Sequence, residues 1–301
     1  MDREETAGSK RVAVLDGWNA FHIKEYDDAL QALGHPPLKR HGAPLDDADV
    51  CAVVIAAHPD DLCRQAEMAL AAGKHVFCDK PVSITPKQMS RLWQLAAQNG
   101  VCLAFDYSFI DRPAFALAKR CFQSGMLGSV HFISIHNAHG AMLRGTLPAR
   151  FLQPHAGVLH DIGVHPLYMA LEMMGSPKHV LARFKRTAEG TVCDYSSLLE
   201  YPDAIVCCSA SYRSPDSRFS IAVTGEKGRC HVEVRQGNIR YLDLPAGLSE
   251  KDLPQSAGTS PANTPFARWL SAICAGAGSE NSQKELSLQF CALMQALQEN
   301  L

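Results

Sequence analysis

Over the first hundred residues, short unbroken apolar runs alternate with segments of helical period. Residues 11–15 (RVAVL), 50–57 (VCAVVIAA), 75–78 (HVFC) and 101–105 (VCLAF) show no apolar/polar alternation. Such runs fit strands buried on both faces, as in a parallel sheet. Residues 23–33 have a helical pattern that Gly34 and Pro36-Pro37 stop. A second helix over 62–72 is opened by Pro59, Asp60 and Asp61 and closed by Gly73. Its acidic first turn suits the positive end of the helix dipole. Thr85 and Pro86 read as an N-cap and a first-turn proline, which start a third helix over 86–98. Residues 35–49 read as loop. This alternation predicts a Rossmann-like, doubly wound parallel sheet.

After Asp106 the texture changes. A helix starts at Asp111-Arg112-Pro113 and ends near Gly125, residues 130–136 alternate as a strand, and 157–174 have helical period. Between 180 and 244 the pattern is β: LARFKR, SSLLEY, AIVCCSASYR, RFSIAVTG, CHVEVRQ and NIRYLDL. Turn signals at Pro202-Asp203 and at Gly225-Glu226-Lys227-Gly228 join several of these runs, which predicts a mostly antiparallel sheet. A Gly/Ser/Pro-rich loop at 246–263 precedes two closing helices, 265–274 and 284–297. The predicted fold class is α/β. A parallel α/β domain spans 1–106, and an α+β domain with a mostly antiparallel sheet spans 107–301. A cleft at their boundary is the expected ligand site.

Composition narrows the function. With 301 residues the chain can bury two cores, and 47% apolar with 20% charged residues is ordinary for a soluble globular enzyme. A net charge of −2 gives no electrostatic footprint for nucleic acid or an anionic membrane. No apolar run approaches the ~20 residues of a membrane-spanning helix. The opening MDREETAGSKR lacks the apolar core of a secretory signal, so the expected location is the cytoplasm. Eleven cysteines show no C-x-x-C and no zinc spacing; they read as reduced core residues rather than metal ligands. Cys207 and Cys208 should point to opposite faces of one strand.

The candidate chemistry lies at two places. The strand at 75–78 runs directly into Asp79, Lys80 and Pro81. Open α/β sheets bind ligands at the carboxyl ends of their strands. A Lys there is either a catalytic group or half of a surface ion pair. Asp161 and His165 are four positions apart, a spacing that can put both on one helix face. Pro166 either sits in the first turn of that helix or kinks a longer one. A histidine titrates near neutral pH when unperturbed, which suits acid–base work; a buried structural histidine is the bland alternative.

Taken together, AGKHVFCDKPVSIT (72–85), HAGVLHDIGVHPLYMALEMMG (155–175) and ASYRSPDSRFSIAVTGEKGRCHVE (210–233) resemble the glucose–fructose oxidoreductase and inositol dehydrogenase family (Gfo/Idh/MocA). The resemblance implies that 1–106 is a Rossmann-like nucleotide-binding domain, here incomplete, that 107–301 is built on a large open sheet, and that the chain transfers hydride with NAD or NADP on a sugar-like or other small polar alcohol or carbonyl. It implies catalytic roles for Lys80, which would hold the substrate oxygen and stabilise alkoxide charge, and for His165 as the base. Asp161 would bind a substrate hydroxyl or orient His165. Asp79 stands where the family has Glu, and with Asp16, His58, Pro59 and Lys80 it makes up the implied cofactor-binding set. Oligomers are common in the family, and the open sheet face of the second domain is the expected interface.

The resemblance fails at one point. The first strand should lead into Gly-x-Gly-x-x-Gly, whose glycines let the backbone approach a pyrophosphate. RVAVLDGWNAFHIKEY (11–26) holds only Gly17, followed by Trp18. Either this is the first strand with a degenerate phosphate loop and a largely deleted second strand, or the chain begins at the second strand with Asp16 as the ribose-binding acid. Milder departures are His58-Pro59 for the family's Thr-Pro, Cys63 for its following His, and His155-Ala156-Gly157 for its glycine run. A non-catalytic ligand-binding or regulatory relative is therefore the alternative to an oxidoreductase, and non-redox acid–base chemistry is a third.

Overall fold

The apolar runs form β1 (Arg11–Leu15), β3 (Val50–Ile55), β4 (His75–Cys78) and β5 (Leu103–Phe105) of an all-parallel sheet, with a two-residue β2 (Leu38–Lys39) at its edge. The computed structural model describes residues 11–15, 20–35, 38–39, 45–80, 84–152, 157–250, 253, 264–276 and 283–299. The sheet order is β2-β1-β3-β4-β5. β1 pairs directly with β3, from Val12 opposite Ala52 to Leu15 opposite Ile55. Helix α1 (Ala20–Ala32) follows β1. That order makes β1 the first strand of a doubly wound sheet whose second strand has shrunk to two residues, and it decides between the two alignments. The edge strand lies in the stretch expected to be loop, because two residues are too short to leave a pattern.

Helices α2 (Pro59–Ala71) and α3 (Pro86–Gln98) complete the alternation. The Thr85 side chain accepts from Gln88 N–H, and the Gln88 side chain answers at Thr85 N–H, a capping box that fixes where α3 begins. Val12, Val14, Ala52, Val54 and Phe77 line one face of the sheet, and Tyr26 and Leu30 from α1 pack on it. Phe266 and Leu270 from α6 (Pro265–Cys274) join the same core. The chain divides into two compact units, Met1–Asp106 with Thr259–Cys291 and Tyr107–Gly258 with Ala292–Leu301. Residues 259–291 thus return to the first unit, whereas the sequence boundary put them in the second. The cause is α6, whose apolar stripe meets Tyr26 and Phe77 at ring-centroid separations of 5.1 and 5.2 Å.

The second unit carries a seven-stranded sheet in the order β12-β11-β10-β6-β9-β8-β7. Its strands are β6 (Val130–Ala138), β7 (His179–Arg186), β8 (Val192–Glu200), β9 (Ile205–Ser211), β10 (Arg218–Gly225), β11 (Gly228–Arg235) and β12 (Asn238–Asp243). All neighbours are antiparallel except β6 and β9. Helix α4 (Pro113–Gln123) packs on β10 and β11, and α5 (Val164–Met174) on β6 and β9. Cys208 is buried on that covered side, and Cys207 lies on the other, partly exposed. The chain ends in α7 (Lys284–Gln298). Among the described residues, no helix is long and apolar enough to cross a membrane.

Candidate active site

In the first unit the strand ladder runs one residue past each strand. Asp79 N–H donates to Ile55 O (2.8 Å) and Asp106 N–H to Cys78 O (2.9 Å), which sets two carboxylates side by side at the carboxyl end of the sheet. Helix α1 reaches both. Its Tyr26 ring lies in the core, while the hydroxyl is 2.9 Å from Asp79 Oδ1 and 2.9 Å from Asp106 Oδ2. His22, one turn earlier, puts Nδ1 2.7 Å from Asp79 Oδ1. That oxygen also accepts the N–H of Lys80 (2.8 Å), which ties the Lys80 backbone to the strand end. Asp79 is 1% and Lys80 8% exposed, so the two are not a surface ion pair. Asp79 Oδ2 is buried without a hydrogen-bond partner. Burial pulls the His22 pKa down, but the Asp79 charge and hydrogen bond outweigh it and the net shift is upward. Burial first, then Asp106 and Asp79, raise Tyr26 well above an ordinary phenol.

In the second unit a π-helical turn, Leu159–Gly163, precedes α5. Such wide turns are frequent at functional sites. Pro166, in the first turn of α5, has no N–H to offer Ile162 O; Asn137 from β6 donates there instead (3.1 Å). Tyr195 O–H donates to Gly163 O (2.8 Å). Asp161 Oδ2 accepts from Tyr212 O–H (3.0 Å), and His139, stacked on Tyr212, has Nε2 3.9 Å from the same oxygen. Burial, then Asp161, drive the Tyr212 phenol upward. His165 has Nδ1 2.7 Å from the Tyr168 hydroxyl and stacks on Phe109 with ring centroids 3.9 Å apart. Asp161 and His165 are both buried.

The expected residues thus fall into two groups. Asp79 and Lys80 lie together at the end of β4. His58, at the end of β3, caps α2 by accepting from Asp61 and Leu62 N–H through its carbonyl (2.9 and 3.0 Å), and Pro59 is the first residue of that helix. Asp161 and His165 belong to the π-turn and to α5. Asp16 and Pro81 lie outside the described residues. Sequence reasoning missed His22, Tyr26 and Asp106, and also Tyr168 and Tyr212. Helical spacing pointed to Tyr168, three residues after His165; only the tertiary fold brings Tyr212 to Asp161.

His22 Nδ1 and carboxylate oxygens of Asp79 and Asp106 lie within 4.8 Å of one another, a spacing a metal ion can use. The hydrogen bonds of His22 and Tyr26 produce the same closeness, so the cluster is first a hydrogen-bonded network. The buried, unpartnered Asp79 Oδ2 still lacks a donor, and a nucleotide's ribose hydroxyl or carboxamide N–H has the chemistry to supply one.

Comparison with known proteins agrees with this layout. Residues 5–107 match the family model described as an oxidoreductase family with an NAD-binding Rossmann fold, and residues 115–231 match the GFO/IDH/MocA C-terminal domain. The chain belongs to the GFO/IDH/MocA oxidoreductase family. Among relatives, it is 31% identical over 186 residues to the uncharacterized oxidoreductase YhhX of Escherichia coli (strain K12), covering 61% of this chain and 53% of YhhX. The chain thus spans about half the length of that relative. It is 26% identical over 270 residues to dTDP-3,4-didehydro-2,6-dideoxy-alpha-D-glucose 3-reductase of Streptomyces violaceoruber, covering 85% of this chain and 77% of the reductase. The crystal structure of GenD2 from gentamicin A biosynthesis, in complex with NAD, superposes with a TM-score of 0.76 at 20% identity over 98% of this chain and 95% of that one, which shows a shared fold.

Proposed function

We propose that this GFO/IDH/MocA protein is a nicotinamide-dependent oxidoreductase acting on a sugar-like or other small polar alcohol or carbonyl. The observation that carries the reading is the buried Asp79–Lys80 pair at the carboxyl end of β4, with one Asp79 oxygen still short of a donor. The likeness to a dTDP-sugar reductase supports a sugar-type substrate. Asp79, Lys80, His58, Pro59 and Asp16 would hold the nucleotide, NAD or NADP, which when bound supplies or accepts the hydride. The chain's own residues do the rest. Lys80 holds the reacting oxygen by hydrogen bond and stabilises alkoxide charge on it. Asp161 binds a substrate hydroxyl or orients His165, and His165 is the base that takes the hydroxyl proton in the oxidising direction. The assembly partner is a second copy of this chain, met through the open face of the seven-stranded sheet.

One observation favours a non-catalytic relative: His22 and Tyr26 already engage Asp79 Oδ1. Titration with NADH and with NADPH separates the readings, followed by quenching of Trp18, Trp93 and Trp269 fluorescence. Saturation at micromolar cofactor is the expected result. No binding up to millimolar would overturn the oxidoreductase reading. With a substrate in hand, Lys80→Ala should lose about 10²–10³-fold in turnover at saturating cofactor, the usual cost of one oxyanion donor. Full turnover in that variant would remove Lys80 from the mechanism.

A further inference from the structure

β6 and β9 pair in parallel, and Ala138 is in register with Ser211 at their carboxyl ends. The next residues, His139 and Tyr212, continue that register, with His139 N–H donating to Ser211 O at 3.0 Å. Residues in register on neighbouring strands share a sheet face. The two rings accordingly stack, their centroids 5.0 Å and their planes 25° apart. Tyr212 is fully buried and its hydroxyl bonds to Asp161 Oδ2. Sheet register thus carries His139 to Asp161, with Nε2 3.9 Å from the same oxygen.

A backbone donor places the His139 proton. Ala141 N–H points at Nδ1 (3.2 Å), and a backbone amide nitrogen only donates. Nδ1 therefore accepts, and the single N–H of the neutral ring is on Nε2. At 3.9 Å that N–H falls short of Asp161 Oδ2, because such bonds span about 2.7–3.2 Å. Among the described residues His139 Nε2 has no hydrogen-bond partner, and the side chain is 22% exposed. A carboxylate oxygen accepts more than one bond, so Oδ2 can take a second donor beside Tyr212. A fixed donor and a carboxylate acceptor therefore face one short gap.

We propose that His139 is a substrate-binding residue that clamps one hydroxyl together with Asp161: the hydroxyl oxygen accepts from His139 Nε2–H, and its O–H donates to Asp161 Oδ2. An oxygen about 2.8 Å from each atom spans the 3.9 Å between them. A ketone or ether oxygen has no proton for Asp161, and an ammonium has no lone pair for His139, so the pair selects a group that does both. The substrate class is a polyol or sugar with a free hydroxyl at this position, against its deoxy counterpart. The inference rests on the proposed oxidoreductase function and gives Asp161 the hydroxyl-binding role there. His139 is not a second base, because Nε2 already holds its proton. A water molecule has the same donor and acceptor capacity, and the test separates the two.

The full chain, labelled with 15N-histidine, is read by long-range 1H–15N correlation. The His139 signals among the 13 histidines are assigned by their loss in His139→Phe, which keeps a ring against Tyr212 and removes the N–H. At alkaline pH the expected pattern is an unprotonated Nδ1 and a protonated Nε2; the reverse overturns the proposal. D-glucose, D-xylose and myo-inositol are then titrated, each with and without NADH. At least one should shift the His139 Nε2 signal saturably. No shift with any of them would mean that the gap holds water only, and overturns the clamp. For the probe that binds, one monodeoxy form should bind wild type about tenfold more weakly, the size of one hydrogen bond, and His139→Phe no more weakly than the parent does. Equal discrimination in both proteins would overturn the proposal, because other groups would then read the hydroxyl. Should His139→Phe not fold, His139→Leu takes its place. Failure to bind NADH or NADPH would refute the oxidoreductase reading, whereas the tautomer and the probe shifts without cofactor test the clamp by themselves.

Discussion

Tyr26 has one hydroxyl proton and two carboxylates within 2.9 Å of it. It can donate to only one at a time, so Asp79 relies on the Lys80 N–H and on His22 for the rest of its compensation. The direction of the His22 shift follows. Burial alone would strip the imidazolium, but the Asp79 charge and hydrogen bond hold the proton more firmly than burial removes it. A histidine whose folded pKa is raised contributes stability that is fully present below its unfolded value, about 6.5, and lost as pH rises through the folded value. His22→Asn should therefore cost about 1–3 kcal/mol at pH 6, the range for breaking a largely buried charge-assisted hydrogen bond. It should cost distinctly less at pH 9. Urea unfolding of both proteins at the two pH values tests this, and equal losses would mean that His22 is not held as an imidazolium. The i, i+4 spacing of His22 and Tyr26 was visible in the sequence. Their meeting with Asp79 was not, because 57 and 53 residues separate the partners and only sheet order joins them.

At the scale of elements, the helical period of 157–174 was legible and its interruption was not. One wide turn inside 18 residues leaves the apolar spacing almost unchanged. What marks the π-turn is tertiary: Asn137 stands in for the N–H that Pro166 lacks, and Tyr195 seals Gly163 O. A Cβ on Gly163 would collide with the Tyr195 ring and come within 3.0 Å of Val158 O, and the backbone oxygen has little room to yield. Gly163→Ala should lower stability by about 1–3 kcal/mol, the usual cost of overpacking. Asn137→Leu should cost a similar ~1–3 kcal/mol by leaving a buried carbonyl short of a donor. Wild-type denaturation midpoints in both variants would show that this turn is not held as described. Elements with strong local signals, such as the unbroken strands and the Thr85-Pro86 start of α3, were readable from the chain alone. The destination of α6 was not, since its apolar stripe is equally compatible with either unit.

At the scale of the whole molecule, the seven-stranded sheet has one face covered by α4 and α5 and one that carries exposed apolar side chains. Leu181 and Leu198 are paired in register between β7 and β8, as are Phe132 and Ile205 between β6 and β9, and all four are 38–62% exposed. Leu198 is also opposite Cys207, so the two pairs form one patch. Beyond them the face continues in small polar groups, with His136 bonded to Ser209 (2.8 Å) and Ser220 to His231 (3.0 Å). Apolar groups concentrated on one open sheet face mark an association surface, and a two-fold pairing would bury the patch against its own copy. The chain should therefore run as a dimer or larger assembly at micromolar concentration. Leu198→Glu puts two buried carboxylates into a two-fold interface, which that interface cannot compensate. Light scattering on wild type and variant should show the assembly falling to monomer with an unchanged circular dichroism spectrum. A monomeric wild type would remove the proposed self-association, and an undiminished assembly in Leu198→Glu would place the contact on another surface.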